Sequence, residues 1–84
     1  MKREIEITPY NSDKGIELNW EYGFEINVSL DSEVLISANK AGLISLASHL
    51  LTLAQDGVES GTHIHFDDLN SLEDGSVGLI IEKV

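Results

Sequence analysis

Two histidines and an aspartate at alternating positions, His63-x-His65-x-Asp67, are the part of the sequence with the clearest capacity for chemistry. In an extended strand, residues two apart project on the same side, so the two imidazoles would lie roughly 7 Å apart at Cα. Imidazole and carboxylate groups are ligands of Zn²⁺, Ni²⁺ and Cu²⁺. The spacing permits a metal site, but it fits equally a polar strand face that meets a protein partner.

No other pattern in the chain predicts a catalytic centre. The sequence has no cysteine, which excludes disulfides, thiolate catalysis and cysteine-ligated zinc. Ser45, Ser48 and His49 lie on one predicted helix and cannot converge with an orienting acid as a catalytic triad does. The acidic segment after Asp67 lacks the EF-hand spacing, and no glycine-rich phosphate loop is present. We therefore expect a protein that is not an enzyme and needs no cofactor.

Charge is the strongest signal in the composition. Fifteen acidic residues face five basic ones, which gives a formal net charge of -10. Such a field repels nucleic-acid phosphates and anionic membranes and speeds encounter with basic proteins. We expect a basic protein partner, and neither a nucleic acid nor a membrane. Residues 1–84 are enough for one domain with one core, and without an apolar signal segment we expect a cytoplasmic location.

Hydrophobic periodicity predicts the secondary structure. Alternation of apolar and polar residues indicates strands at 4–7, 16–20, 24–30 and 34–38, joined by short turns that favour an antiparallel meander. At Asn39, a good N-cap residue, the period changes to that of a helix that ends near Gly57, which suits the left-handed position past the helix C-terminus. Strands at 63–67 and 77–84 follow. We predict an α+β domain of order ββββαββ, mainly an antiparallel sheet with one helix on one face.

The predicted core combines the apolar side of the helix with the apolar side of the sheet. The helix contributes the stripe Leu43, Leu46, Ala47, Leu50, Leu53 and Ala54, with His49 at its boundary. The strands contribute Trp20, Phe24, Ile26, Val28, Ile36, Ile64, Phe66 and Leu79. The run Leu79-Ile80-Ile81 is apolar on both sides and predicts a central strand.

The same strand phase places polar residues on the side of the sheet away from the helix. We expect an exposed acidic face carrying a histidine pair, and we take it as the candidate partner-binding surface. Its members are Glu4, Glu6, Glu17, Glu25, His63, His65 and Asp67.

The second half of the chain resembles a known family. The runs Asn39-Lys40-Ala41-Gly42-Leu43, Gly61-Thr62-His63-Ile64-His65-Phe66-Asp67 and Gly75-Ser76-Val77-Gly78-Leu79-Ile80-Ile81-Glu82-Lys83 carry the resemblance. They are similar to the small immunity proteins of bacterial polymorphic toxin systems, of the type called immunity protein 32. The resemblance covers residues 39–83. It implies a small intracellular partner for a toxin domain, often a nuclease, and it implies no catalytic role for His63, His65 or Asp67.

Two alternatives to an immunity protein stay open on the sequence. One is a metal-binding protein that uses His63, His65 and Asp67 and retains metal on purification. The other is a self-associating structural module, a homo-oligomer whose exposed sheet edge or face pairs with a second copy.

Overall fold

One helix and four strands make up the regular structure of the chain, which a computed structural model describes over residues 1–84. They occur in the order β1 (Ile26–Leu30), β2 (Val34–Ala38), α1 (Lys40–Leu53), β3 (His63–Phe66) and β4 (Leu79–Glu82). The strands form two antiparallel two-stranded sheets, β1–β2 and β3–β4. The predicted α+β class and antiparallel pairing are confirmed, and the single large sheet is replaced by two small ones.

The β1–β2 hairpin pairs Val28 with Ile36 and closes through Asp31 and Glu33, whose backbone groups lie 3.1 Å apart. The other edge of β1 is covered by the loop that precedes β4. Its Glu73 and Val77 amides donate to the carbonyls of Ile26 and Val28, both at 2.8 Å. Ser76 Oγ accepts from the amide of Val28 at 3.1 Å. These bonds hold the two sheets side by side without a continuous ladder.

The second sheet pairs Phe66 of β3 with Leu79 of β4 and His63 with Glu82. β4 has no other strand neighbour, so the predicted central position of Leu79-Ile80-Ile81 is wrong. Leu79 and Ile81 face inward and are half-buried, whereas Ile80 is 60 % exposed on the outer side. The run Leu79-Ile80-Ile81 therefore belongs to a strand with one inward side, and its middle residue is an exposed isoleucine.

The N-terminal segments at 4–7 and 16–20 are not strands in the structure, contrary to the prediction. Their burial still alternates: Ile5 and Ile7 are half-buried and Glu4 and Glu6 are exposed. Their backbone hydrogen bonds are to side chains instead of to a neighbouring strand. The Asn19 carbonyl lies 2.9 Å from His49 Nε2 of the helix, and the Glu6 carbonyl accepts from Asn19 Nδ2 at 3.2 Å. Alternation therefore predicted which side is inward but not the hydrogen-bonding partner.

Asn39 caps α1 as predicted. Its Oδ1 accepts from the amides of Gly42 at 2.8 Å and Glu25 at 3.0 Å, and its Nδ2 donates to the carbonyl of Gly23 at 2.9 Å. The cap thus ties the helix start to the turn before β1. The helix ends at Leu53, and Gly57 is not in the left-handed region, so its predicted role past the helix end is wrong.

The orientation of α1 is the largest departure from the prediction. The side that packs inward is mostly small and polar, and consists of Gly42, Ser45, Ser48, His49, Thr52 and Leu53. Leu43 and Leu50 are 56 % and 48 % exposed. The predicted leucine stripe is wrong at these positions, although Leu53 is buried and Leu46 packs against the core.

The hydrophobic core lies between the two sheets and the small-residue side of the helix. Its buried members are Ile26, Val28, Leu53, Val58, Ile64, Phe66 and Leu72. Phe24 and Leu79 pack against it, while Ile36 is 42 % exposed and Trp20 36 % exposed, contrary to the prediction for these two. The helix α1 is neither long nor apolar enough to cross a bilayer.

Candidate partner-binding surfaces

The buried polar side of α1 binds the N-terminal segment. Ser45 Oγ accepts from the Glu21 amide at 2.8 Å and donates to the Ala41 carbonyl at 2.9 Å. Ser48 Oγ lies within donating distance of the Asn19 carbonyl at 3.3 Å. Buried backbone groups need hydrogen-bond partners, and a segment outside any sheet must obtain them from side chains. The helix therefore turns its hydroxyl groups inward, and most of its leucines are left on other sides.

His49 sits at the centre of this arrangement and is fully buried, not at the boundary as predicted. Its Nε2 lies 2.9 Å from the Asn19 carbonyl, and its Nδ1 is buried without a hydrogen-bond partner. The ring stacks on Phe66 with centroids 5.6 Å apart and meets Trp20 edge-on at 4.3 Å. Burial lowers the pKa of His49, and the bond to Asn19 opposes that shift only in part. His49 is thus a neutral core residue that no solute reaches.

His63 and His65 are exposed on the outer side of β3, whereas Ile64 and Phe66 are buried, as the alternation predicted. Across the strand pair, His63 faces Glu82 and His65 faces Ile80. Ile80 and Glu82 were not among the predicted surface residues, because β4 could not be aligned with β3 from the sequence alone.

The alternative of a metal site at His63, His65 and Asp67 is not supported by the arrangement of their side chains. No group of three or more histidine, aspartate or glutamate side chains lies close enough to hold a metal ion. Asp67 follows the end of β3, and its Oδ1 accepts from the amides of Leu69 at 2.9 Å and Asn70 at 3.0 Å. The Asp67 carboxylate therefore stabilises the turn that follows β3.

The predicted acidic face is divided in the structure. Glu25 precedes β1 in the first sheet, while His63 and His65 lie on β3 in the second sheet. Glu4, Glu6 and Glu17 lie on the N-terminal segments outside both sheets. All six are exposed, and Asp67 is half-buried. A single continuous sheet face that carries all seven does not exist, because the six predicted strands do not form one sheet.

An open depression of about 310 Å³ lies on the polar side of the β1–β2 hairpin. Glu25 and Glu73 contribute carboxylates to it, and Asn27 and Ser37 contribute neutral polar groups. Glu73 is placed there by its backbone bond to the Ile26 carbonyl. Nothing in the sequence near Glu73 predicted this position, because the contact joins residues 47 apart in the chain (73 minus 26).

The carboxylates of the chain are almost all without an ion-pair partner. Arg3 and Glu21 form the one salt bridge, at 3.7 Å, and both side chains are more than two-fifths exposed. Of fifteen acidic residues, Glu21 alone is paired. A surface of unpaired carboxylates is able to receive cationic groups from a partner.

Exposed apolar side chains form a second type of surface that the sequence did not predict. Strand β2 exposes Val34, Leu35 and Ile36 at 60 %, 59 % and 42 %. The helix that follows it exposes Leu43 and Leu50. Both sides of β2 are therefore accessible, which is unusual for a strand with three large apolar residues.

Comparison with known proteins identifies the family. No curated protein and no solved structure matches the chain significantly. A model of the family described as immunity protein 32 matches residues 33–84. The matched region begins just before β2 and includes α1, β3 and β4, hence more than half of the chain. The chain belongs to the immunity protein 32 family.

Proposed function

We propose that this immunity protein neutralises a bacterial toxin domain by binding it, and that the toxin is a nuclease with a basic surface. The observation that carries the proposal is the single ion pair among fifteen carboxylates. A nuclease domain needs cationic groups to hold phosphates, and those groups are complementary to an unpaired acidic surface. The complex forms in the cytoplasm, where a nuclease meets its substrate.

The depression beside β1 is the proposed centre of the contact. Glu25 and Glu73 offer two carboxylates, and an open volume of about 310 Å³ accommodates a lysine or arginine side chain. An arginine guanidinium pairs with carboxylates through two parallel hydrogen bonds, which adds geometric selectivity to the attraction. Glu4, Glu6 and Glu17 are exposed on the N-terminal segments and His63 and His65 on β3, and we propose that they add secondary contacts outside the depression.

Inhibition by occupancy needs no reaction on the immunity protein. The hydroxyl and imidazole groups that lie together, those of Ser45, Ser48 and His49, are buried in the core and bonded to backbone carbonyls. The exposed histidines, His63 and His65, have no assembled partner set for metal or proton chemistry. We therefore propose a stoichiometric binder with no catalytic residue.

The test is binding kinetics with the toxin domain encoded next to this protein. A net charge of -10 should steer a basic partner, so raising salt from low to physiological levels should slow association by about tenfold. Nuclease activity should fall to zero at one equivalent of the immunity protein. A toxin that keeps its activity at excess immunity protein contradicts the proposal.

Charge reversals locate the contact. Glu25→Lys and Glu73→Lys should weaken the complex strongly, because each places a cation where the partner's cation sits. Glu17→Lys tests whether the N-terminal segment takes part. Asp13→Lys is the matched control, since Asp13 lies in the turn between Asn11 and Gly15 and lines no depression. Equal effects of Glu25→Lys and Asp13→Lys would reduce the acidic surface to a role in solubility.

A further inference from the structure

We propose that the free edge of β2 pairs with β2 of a second copy of this chain, forming a dimer with a continuous four-stranded sheet. This goes beyond toxin binding and concerns a different surface. The dimer would place β1–β2 of one copy beside β2–β1 of the other in antiparallel orientation.

Hydrogen bonding shows which backbone groups of β2 are free. The Asn39 amide donates to Glu25 at one end of the hairpin and the Asp31 amide to Glu33 at the other. Bonded pairs alternate in an antiparallel ladder, so in this register the peptide groups of Val34, Ile36 and Ala38 point away from β1. None of these three amides has a partner outside the ladder. β1, by contrast, has both edges covered.

The free edge lacks the devices that normally keep an edge strand from pairing. Such strands carry proline, a bulge or charged residues. β2 reads Val-Leu-Ile-Ser-Ala, without proline or charge, and its register with β1 is continuous from Val34 to Ala38. Val34, Leu35 and Ile36 are all largely exposed. An unprotected apolar edge is a template for another strand.

The edge is complementary to itself. A two-fold axis at Ile36 sets Ile36 opposite Ile36 and the larger Val34 opposite the smaller Ala38, with the free peptide groups of all three in bonded pairs. The same register places Glu33 opposite Asn39, one residue from Lys40 of the other copy. The edge is acidic at its start and basic at its end, so in an antiparallel pair of copies opposite charges lie near each other. At this edge a basic toxin would gain from Glu33 but would meet Lys40, so the local charge pattern fits a second copy better, against the repulsion between the two net charges.

The helix adds to the same interface. α1 begins one residue after Asn39 and lies against β2 at Gly42, where an added Cβ would come 3.1 Å from Ala38 Cβ. A two-fold axis through the sheet puts both helices on the same side of it. The exposed Leu43 and Leu50, seven residues apart and thus on one side of the helix, are then available to the helix of the second copy.

The dimer and the toxin complex are expected to depend on salt in opposite ways. Two copies each carry a charge of -10 and repel one another, so screening should strengthen the dimer. Raising the salt concentration should instead weaken the attraction to a basic toxin. The two proposals can therefore fail independently.

Sedimentation equilibrium of the whole chain tests the proposal. At roughly 500 mM salt we expect twice the 9.2 kDa mass of the chain, with a dissociation constant that rises as salt is lowered toward roughly 50 mM. Val34→Lys and Ile36→Pro should each weaken the dimer by about tenfold or more, the first through edge charge and the second by removing an outward amide. Val84→Lys is the matched control, because Val84 is 98 % exposed at the C-terminus.

Amide hydrogen exchange identifies the surface used. In the dimer, the amides of Val34, Ile36 and Ala38 should be protected, and Val34→Lys should remove that protection while the core stays protected. A monomer at high salt overturns the proposal, as does a dimer in which these amides exchange freely. Protection that appears only when the toxin is added also overturns it and assigns the edge to the toxin.

Discussion

The two sides of α1 differ in a way that reverses the usual pattern of a surface helix. The inward side carries Gly42, two serines, a threonine, a histidine and only one leucine, Leu53, while Leu43, Leu50 and Leu51 are exposed. On most amphipathic helices the leucines face the core. Here the inward side meets an extended N-terminal segment that has no strand partner, and Ser45 and His49 supply hydrogen bonds to it.

This difference shows that backbone hydrogen-bonding need can decide the orientation of a helix. Leaving the part-buried Glu21 amide and Asn19 carbonyl without partners would cost up to about 1–3 kcal/mol each. Leaving three leucines, Leu43, Leu50 and Leu51, about half exposed loses a comparable amount of apolar burial. A partner that covers those leucines recovers the second loss, whereas nothing outside the domain could repair the first. The exposed leucines are therefore consistent with a protein that functions in a complex.

The largest effect should come from a matched pair of leucine truncations. Leu53→Ala removes a side chain that is 4 % exposed and should lower the free energy of unfolding by about 2–5 kcal/mol. Leu50→Ala, on the same helix but 48 % exposed, should cost less than about 1 kcal/mol, because alanine keeps the helix propensity. Urea unfolding measures both. Equal losses would mean that the leucine side is buried and the orientation described here is wrong.

A smaller loss of stability is expected from a substitution at Gly42, where α1 approaches β1. A Cβ at Gly42 would lie 2.5 Å from the Glu25 carbonyl oxygen and 2.9 Å from Ile26 Cγ1. Gly42→Ala should therefore destabilise the protein by about 1–3 kcal/mol, despite the better helix propensity of alanine. Thermal unfolding compares it with Ala47→Gly, which removes a methyl group without creating a clash. A gain in stability from Gly42→Ala would contradict the close approach.

The hydrogen bonds of the inward side should contribute about 1 kcal/mol each. Ser45→Ala leaves the Glu21 amide without its 2.8 Å acceptor and should destabilise the fold by about that amount. Faster hydrogen exchange at the Glu21 amide, with unchanged exchange at Ile64, would show that the loss is local. Ser37→Ala, on exposed β2, is the control and should be nearly neutral.

The mildest effect is a pH dependence that depends on His49. Burial lowers the pKa of His49 in the folded protein below its ordinary value of 6.5. The unfolded chain therefore binds the proton first, and the stability held above pH 6.5 is lost as the pH falls below it. Below the folded-state pKa no further loss arises from this residue. Urea unfolding of His49→Phe should show a flatter profile in that window, and an unchanged slope would contradict the role of His49.

Local patterns predicted those features that depend on neighbouring residues. Asn39 caps the helix, Ile64 and Phe66 face inward while His63 and His65 face outward, and the β1–β2 hairpin forms. Each depends on side-chain alternation or on a cap within a few residues. The positions of Glu73 and the neighbours of β4 depend on contacts between distant segments, which no local pattern encodes. The seven predicted surface residues were therefore correctly sorted outward, except for half-buried Asp67, yet not correctly placed together.

The sequence by itself determined the α+β class, the antiparallel pairing, the acidic charge and the resemblance to an immunity protein family, because these follow from composition, local periodicity and local motifs. Only the tertiary structure decided that α1 buries its serines and His49 and exposes Leu43 and Leu50. The physical reason is competition. Both sides of the helix could have faced inward, and the unpaired backbone of a distant N-terminal segment favoured the side with hydroxyl groups.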